Sequence, residues 1–201
     1  MMTPDDVAAL LIEIGAIEVR PDPATWFTWA SGRRAPIYCD NRRLISFPKQ
    51  RAQIADALTA SIRAGFDGCE VVAGTATAGI PHAAWVAERL DLPMVYVRGS
   101  AKGHGRGRQV EGRPLRGERV VLVEDLISTG GSSCSAIDAL RREGGEVIGV
   151  QAIVSYELPE SRAALAERSL TYRTLVAYEQ ILGVLPLSDR ERAVLADWRT
   201  S

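Results

Sequence analysis

Hydrophobic and polar positions alternate in blocks along most of the chain. Val120-Val121-Leu122-Val123 is an unbroken apolar run, the pattern of a strand buried on both faces. Similar short runs at Glu70–Ala73, Pro93–Val97, Glu146–Val154 and about 171–176 predict further strands. Between them, helical spacing predicts helices over about 80–90, 132–143 and 159–169. A glycine-rich turn, Gly74–Gly79, joins the first of these strands to its helix. Such alternation implies a parallel, doubly wound sheet with right-handed crossovers. Arg98–Arg116 carries no usable periodicity.

The N-terminal part has a different rhythm. Thr3-Pro4-Asp5-Asp6 supplies a cap, a proline suited to the first helical position and acids for the first turn. A helix is expected from there to about Ile14, ending near Gly15. Residues 16–45 read as short strands and turns, and Pro48 starts a second helix running through Ile54 and Leu58 to about Ile62. Ser188-Asp189-Arg190-Glu191 is a capping-box pattern for a C-terminal helix. The expectation is a small cap over the carboxyl edge of the sheet. No proline- or serine-rich linker separates the two, so one folding unit is expected.

Bulk properties narrow the classes. The chain has 201 residues, enough for one good core and a small appendage. Its net charge of -1 gives no reason for bulk attraction to nucleic acid or membrane. Cys39, Cys69 and Cys134 lie far apart without C-x-x-C spacing, which fits reduced thiols of a cytoplasmic protein. No apolar run reaches membrane-spanning length, and the N-terminus lacks a signal-peptide core.

The chemistry concentrates after the apolar run. Glu124 and Asp125 follow it directly, then Leu126, Ile127, Ser128, Thr129, Gly130, Gly131 and Ser132 lead into a helix pattern. Acids at the carboxyl end of a strand sit where open α/β sheets bind ligands. The glycines allow a tight bend, and the turn with the next helix N-terminus can hold a phosphate. Two carboxylates beside a phosphate cradle would repel the ligand, unless it also offers sugar hydroxyls or brings a cation. The stretch resembles the signature of type I phosphoribosyltransferases, which bind 5-phosphoribosyl 1-diphosphate (PRPP). In that family the acids contact the ribose hydroxyls and the turn binds the 5'-phosphate. The resemblance implies a parallel twisted sheet flanked by helices with a small N-terminal hood. The expected division is about 1–65 for hood and helices, about 66–180 for the PRPP-binding core and about 188–200 for the C-terminal helix.

Two further segments narrow the resemblance. Arg98, Lys102, His104 and Gly105 form Arg-x-x-x-Lys-x-His-Gly in a loop of alternating basic and glycine residues. With no large apolar anchor, such a loop is expected to be mobile when empty and ordered by a polyanion. It is similar to the catalytic loop of orotate phosphoribosyltransferases, which make orotidine 5'-monophosphate and diphosphate from orotate and PRPP with magnesium. The resemblance implies a cytoplasmic homodimer whose loop, about 98–108, reaches the neighbour's site. It also implies PRPP contacts from Arg98, Lys102 and His104, with Lys102 and Asp125 as the catalytic pair. The metal would be carried by PRPP and not ligated directly by the chain.

The other segment, Phe27-Thr28 to Ser31-Gly32 followed by Pro36-Ile37-Tyr38-Cys39-Asp40-Asn41-Arg42, is similar to the same family's orotate-site segment. There the Tyr38-Cys39 backbone and Ser128 would meet orotate. Trp26 and Trp29 read as core packing, and His82 as a structural histidine. Gly74–Gly79 resembles the family's pyrophosphate loop. Lysines that some members carry are replaced by Ala30, Ala78 and Gly99, and Tyr156-Glu157 stands where some place an arginine. Arg33, Arg34, Arg42 or Arg43 are candidates to replace that charge. The alternatives are a purine-base phosphoribosyltransferase, against which the loop and the N-terminal segment argue, and a non-catalytic PRPP-sensing regulator. A regulator that binds nucleic acid would need a basic face or an added domain.

Overall fold

The computed structural model of the chain describes residues 2–29, 32–99 and 108–200. Helix α1 (Pro4–Glu13) starts where its cap predicts: Asp6 N donates to Thr3 Oγ1 at 3.2 Å and Thr3 N to Asp6 Oδ2 at 2.8 Å. Four short strands follow: β1 (Ile17–Val19), β2 (Phe27–Thr28), β3 (Arg34–Ala35) and β4 (Ile37–Cys39). They pair antiparallel as β1 with β4 and β2 with β3, making a hood of two small ribbons. A 3-10 turn over Asn41–Ser46 leads into α2 (Pro48–Gly65).

The core runs β5 (Val71–Thr75), α3 (Gly79–Leu90), β6 (Met94–Val97), β7 (Val110–Glu111), β8 (Arg119–Ile127), α4 (Gly131–Arg142), β9 (Glu146–Ser155), α5 (Pro159–Ala166) and β10 (Tyr172–Ala177). The six strands lie in the order β10-β9-β8-β5-β6-β7, all neighbours parallel except β6 and β7. The pleat of β8 explains the layers. Val121 and Val123 pack in the cluster formed with α1, α2 and α3, while Val120 and Leu122 pack in the one under α4. All four are fully buried. Helices therefore cover both faces of the sheet, and an unbroken apolar strand is what that position requires.

Four elements differ from expectation. Strand β8 runs past the acids to Ile127, because β9 pairs with it through Ile127↔Ser155. Strand β7 falls inside the stretch read as irregular; it is set by its antiparallel partner β6, through Tyr96↔Glu111 and Val97↔Val110. A short helix, α6 (Tyr178–Val184), follows β10, and α7 (Asp189–Thr200) closes the described chain. Helix α5 stops at Ala166, short of the expected 169, where Ser169 takes a left-handed φ of 55°. Among the described residues, no helix is long and apolar enough to cross a membrane.

The hood meets the carboxyl end of the sheet. Asn41 Nδ2 donates to the main-chain oxygen of Asp125 at 2.7 Å, and the Trp29 ring stacks on Tyr156, one residue beyond β9. Hood and sheet share one apolar cluster, running from Val7 through Ile37 and Val121 to Trp198.

Candidate active site

Glu124 and Asp125 are the sixth and seventh of the nine residues of β8, within the strand rather than after it. Glu124 is only 4% exposed. Its carboxylate accepts from Ser133 Oγ at 3.1 Å and from Asp125 N at 3.3 Å. The Thr75 hydroxyl lies beside it, buried and without a hydrogen-bond partner. Burial pushes both carboxyls above their ordinary values, and the charge of Asp125 raises Glu124 further. Arg42 opposes this for Asp125; its guanidinium is fixed nearby by Asp40 at 2.5 and 2.9 Å. Such a pair is costly to ionise when empty, and it favours a ligand that brings hydroxyl donors or positive charge.

The turn after β8 is open to anions. Gly130 adopts a left-handed φ of 84° as the cap of α4, and a Cβ there would stand 3.3 Å from Ser161 Cα. No side chain caps α4, so its first N–H groups have no side-chain acceptor and face the turn. Thr129, Gly131 and Ser132 are exposed and Ser128 and Leu126 half-buried around it. Ile127 instead points into the core under α4, so only its main chain can meet a ligand.

A second turn faces the first. Gly79 opens α3 so close to β8 that an added Cβ would lie 2.7 Å from the Val123 carbonyl oxygen. The Ala76–Thr77 peptide bond before it is cis. Between the two turns is a small cavity of about 90 Å³, whose lining includes Thr75, Ala76, Arg98, Gly99, Gln109 and Ser132. Arg98 leaves β6 at its edge, pinned through its main chain by Gln109, with its guanidinium 3.7 Å from Glu111. Lys102 and His104 lie outside the described residues.

On the hood side is a cleft of about 500 Å³ lined by Thr28, Trp29, Tyr38, Cys39, Leu126, Ser128, Thr129 and Tyr156. Ser128 thus joins the anion turn to the cleft. Tyr38, Cys39 and Ser128 were expected here from sequence. Trp29 was read as core packing, yet it is half-buried and walls the cleft, its ring stacked on Tyr156 at 5.3 Å. Tyr156, for which the sequence carries no base-site motif, completes the wall from the sheet side. Burial holds the Cys39 thiol well above its ordinary value, with Asp125 and Asp40 adding to the effect.

The four arginines proposed as replacement charge do not line this cleft. Arg33 pairs with Glu160 at 2.5 Å, Arg34 with the Pro23 carbonyl, Arg42 with Asp40 and Arg43 with the Ile14 carbonyl at 3.0 Å. His82 is fully buried on α3, neither ring nitrogen has a partner, and burial pushes it down to about 4.

A sheet with an acid pair, an anion turn at its carboxyl edge and a hooded aromatic cleft is the architecture of a type I phosphoribosyltransferase. The family model described as phosphoribosyl transferase domain matches residues 48–179. An orotate phosphoribosyltransferase of Fusobacterium nucleatum is 46% identical over 200 residues, covering 98% of this chain and 95% of that protein. The crystal structure of the orotate phosphoribosyltransferase from Aeropyrum pernix superposes with a TM-score of 0.75 and 34% identity, over 88% of this chain and 96% of that one. The structure of Leishmania donovani UMP synthase gives a TM-score of 0.80 and 26% identity over 98% of this chain; this chain spans 43% of that longer protein. The chain belongs to the orotate phosphoribosyltransferase family.

Proposed function

We propose that this protein transfers the 5-phosphoribosyl group from PRPP to orotate, giving orotidine 5'-monophosphate and diphosphate for pyrimidine nucleotide synthesis. What supports the reading is one juxtaposition: the acid pair and anion turn of β8 share Ser128 with a flat aromatic cleft under the hood. Glu124 and Asp125 hold the ribose hydroxyls, and their charge favours the positive character that develops on the ring. The main chain of Leu126 and Ile127, with Ser128, Thr129, Gly130, Gly131 and Ser132, fixes the 5'-phosphate. Ser128 and the Tyr38-Cys39 main chain orient the base between Trp29 and Tyr156, which suits a planar, polar heterocycle.

Orotate N1 attacks the anomeric carbon as the bond to the diphosphate oxygen breaks, inverting that centre. The electron pair leaves with the diphosphate, so no covalent enzyme intermediate is needed. Arg98 stands at the small cavity where the leaving group would lie. Lys102 and His104 belong to the loop that follows it, and Lys102 stabilises the departing charge. By its resemblance to the family's catalytic loop, the stretch carrying them is expected to cover the site during the reaction and exclude water from the reactive centre.

Magnesium fits this donor set only as part of the substrate. Two carboxylates beside substrate oxygens, Glu124 and Asp125, match magnesium's usual manner of binding. Glu124 and Asp125 would hold the magnesium-bearing substrate, and the ion would supply positive charge against the departing diphosphate. The working unit is a cytoplasmic homodimer in which each loop, about 98–108, serves the partner's site.

The test is orotate consumption, followed by ultraviolet absorbance with PRPP and magnesium, with hypoxanthine, adenine and uracil in parallel. Turnover of orotate alone is expected. Turnover of a purine base, or PRPP binding without any turnover, would overturn the assignment.

A further inference from the structure

The wall of the base cleft is built by two separate parts of the chain and backed by a third that is far from the chemistry. Trp29 comes from the hood and Tyr156 from the turn after β9; their rings lie nearly parallel, 15° apart. Helix α7 brings a third ring. Trp198 meets Trp29 edge-on at 5.7 Å and 86°, and Tyr156 edge-on at 6.3 Å and 79°. It is 3% exposed and lines no part of the cleft, so it touches no substrate.

Trp198 is itself held from three sides. Its indole N–H donates to the main-chain oxygen of Arg34, on β3, at 2.9 Å. The Arg33 guanidinium lies over its ring at 5.1 Å and is paired with Glu160 of α5. Tyr178 leans on it at 5.4 Å, and the Tyr178 hydroxyl donates to the Leu195 carbonyl of α7 at 3.0 Å. Edge-to-face contacts resist sliding and rotation of the stacked pair, because the ring quadrupoles favour this perpendicular arrangement. The Trp29 indole N–H is occupied by Ile37 O at 3.1 Å, which fixes the ring on the hood ribbon. Tyr178 also meets Tyr156 edge-on, at 6.3 Å and 80°, but among the described ring contacts Trp198 is the ring that meets both members of the pair.

We propose that Trp198 is a positioning residue for base recognition: α7 serves as the brace that sets the Trp29–Tyr156 wall of the cleft. This rests on the cleft being the base site. It also separates the two substrates structurally. The acid pair and anion turn are positioned by β8, α4 and Asn41, none of which depends on Trp198. The matched family region, 48–179, contains β8, the anion turn, α4 and Tyr156 but neither Trp29 nor Trp198. Base recognition therefore draws on the parts of the chain at either side of it.

The experiment is steady-state kinetics on the full chain with Trp198→Leu and Trp198→Phe. Leucine removes the edge contacts, and the orotate KM is expected to rise roughly three- to tenfold. The PRPP KM and kcat should stay unchanged. Phenylalanine keeps an aromatic edge but loses the indole donor and the second ring's volume, so it should recover most of the orotate affinity. If the leucine variant does not fold, Tyr178→Phe loosens α7 by removing the hydrogen bond to Leu195, and should raise the orotate KM alone to a smaller extent. Equal rises in both KM values, or an unchanged orotate KM in a folded, destabilised variant, would overturn the inference while leaving the reaction intact. A wild-type protein that turns over no orotate would overturn the functional reading and this inference with it.

Discussion

Replacing Glu124 by glutamine should stabilise the protein and weaken its hold on PRPP in the same variant. Glu124 is buried beside a second carboxyl, and both burial and that neighbour raise it above the ordinary 4.5. A carboxyl raised on folding favours the folded state only while protonated. Its contribution is complete below 4.5 and is lost as pH rises through the higher folded value. Each unit of rise costs the ionised form about 1.4 kcal/mol. Glutamine preserves the size and an acceptor for Ser133 Oγ, and its amide can donate to the Thr75 hydroxyl, which has no partner.

The variant should therefore gain on the order of 1–2 kcal/mol at alkaline pH. For a chain of this size that is a rise in Tm of roughly 3–5 °C. The gain should shrink as pH falls toward 4.5. In exchange, a charged acceptor for the ribose hydroxyls is lost, worth about 1.5–3 kcal/mol, or roughly 10- to 150-fold in Kd. Thermal melts across pH and calorimetric titration of PRPP with magnesium measure both halves. A variant less stable than wild type at alkaline pH, or one with unchanged PRPP affinity, would refute the reasoning about this pair.

Other expectations follow from single features. His82, held down to about 4 from 6.5 by burial, favours the folded state above 6.5 and loses that contribution as pH falls toward 4. His82→Phe should therefore flatten the acid limb of the stability profile; identical acid limbs in melts of variant and wild type would contradict this. Gly149→Ala would place its Cβ 2.1 Å from Phe66 Cε1, inside the core, and should cost about 1–3 kcal/mol without shifting either KM. A Tm unchanged by that substitution would show the ring to be freer than its packing indicates. Lys102→Ala should lower kcat by on the order of 10²–10³ while leaving orotate binding nearly intact. Equal turnover in stopped-flow or steady-state assays would remove Lys102 from the reaction.

The core of the fold was legible because its signals are local. The apolar run at 120–123 and the caps at Thr3 and Ser188 specify their elements without help from distant residues. What escaped notice depends on partners far along the chain. Two acids look like the end of a buried strand, but β9 continues the ladder and Asn41 satisfies the Asp125 carbonyl, so β8 carries them inward. Strand β7 has two residues and α6 seven, too few for any periodicity to show. The acid pair and the anion turn were readable for the same reason as the core, since β8, its turn and α4 are contiguous. The hooded cleft was only half readable. Tyr38, Cys39 and Ser128 sit in motifs, whereas Trp29 and Tyr156 become a wall only when residues 127 apart stack. The four arginines offered as replacement charge had no local signal to show that each is already engaged within the hood or with α5.

The most direct measurement is phosphorus NMR of the protein mixed with PRPP, magnesium and orotate. The account predicts loss of the PRPP resonances with matched appearance of diphosphate and one nucleoside 5'-monophosphate, and no change when orotate is omitted. Intact PRPP in the presence of orotate, or diphosphate release that does not depend on a base, would contradict it.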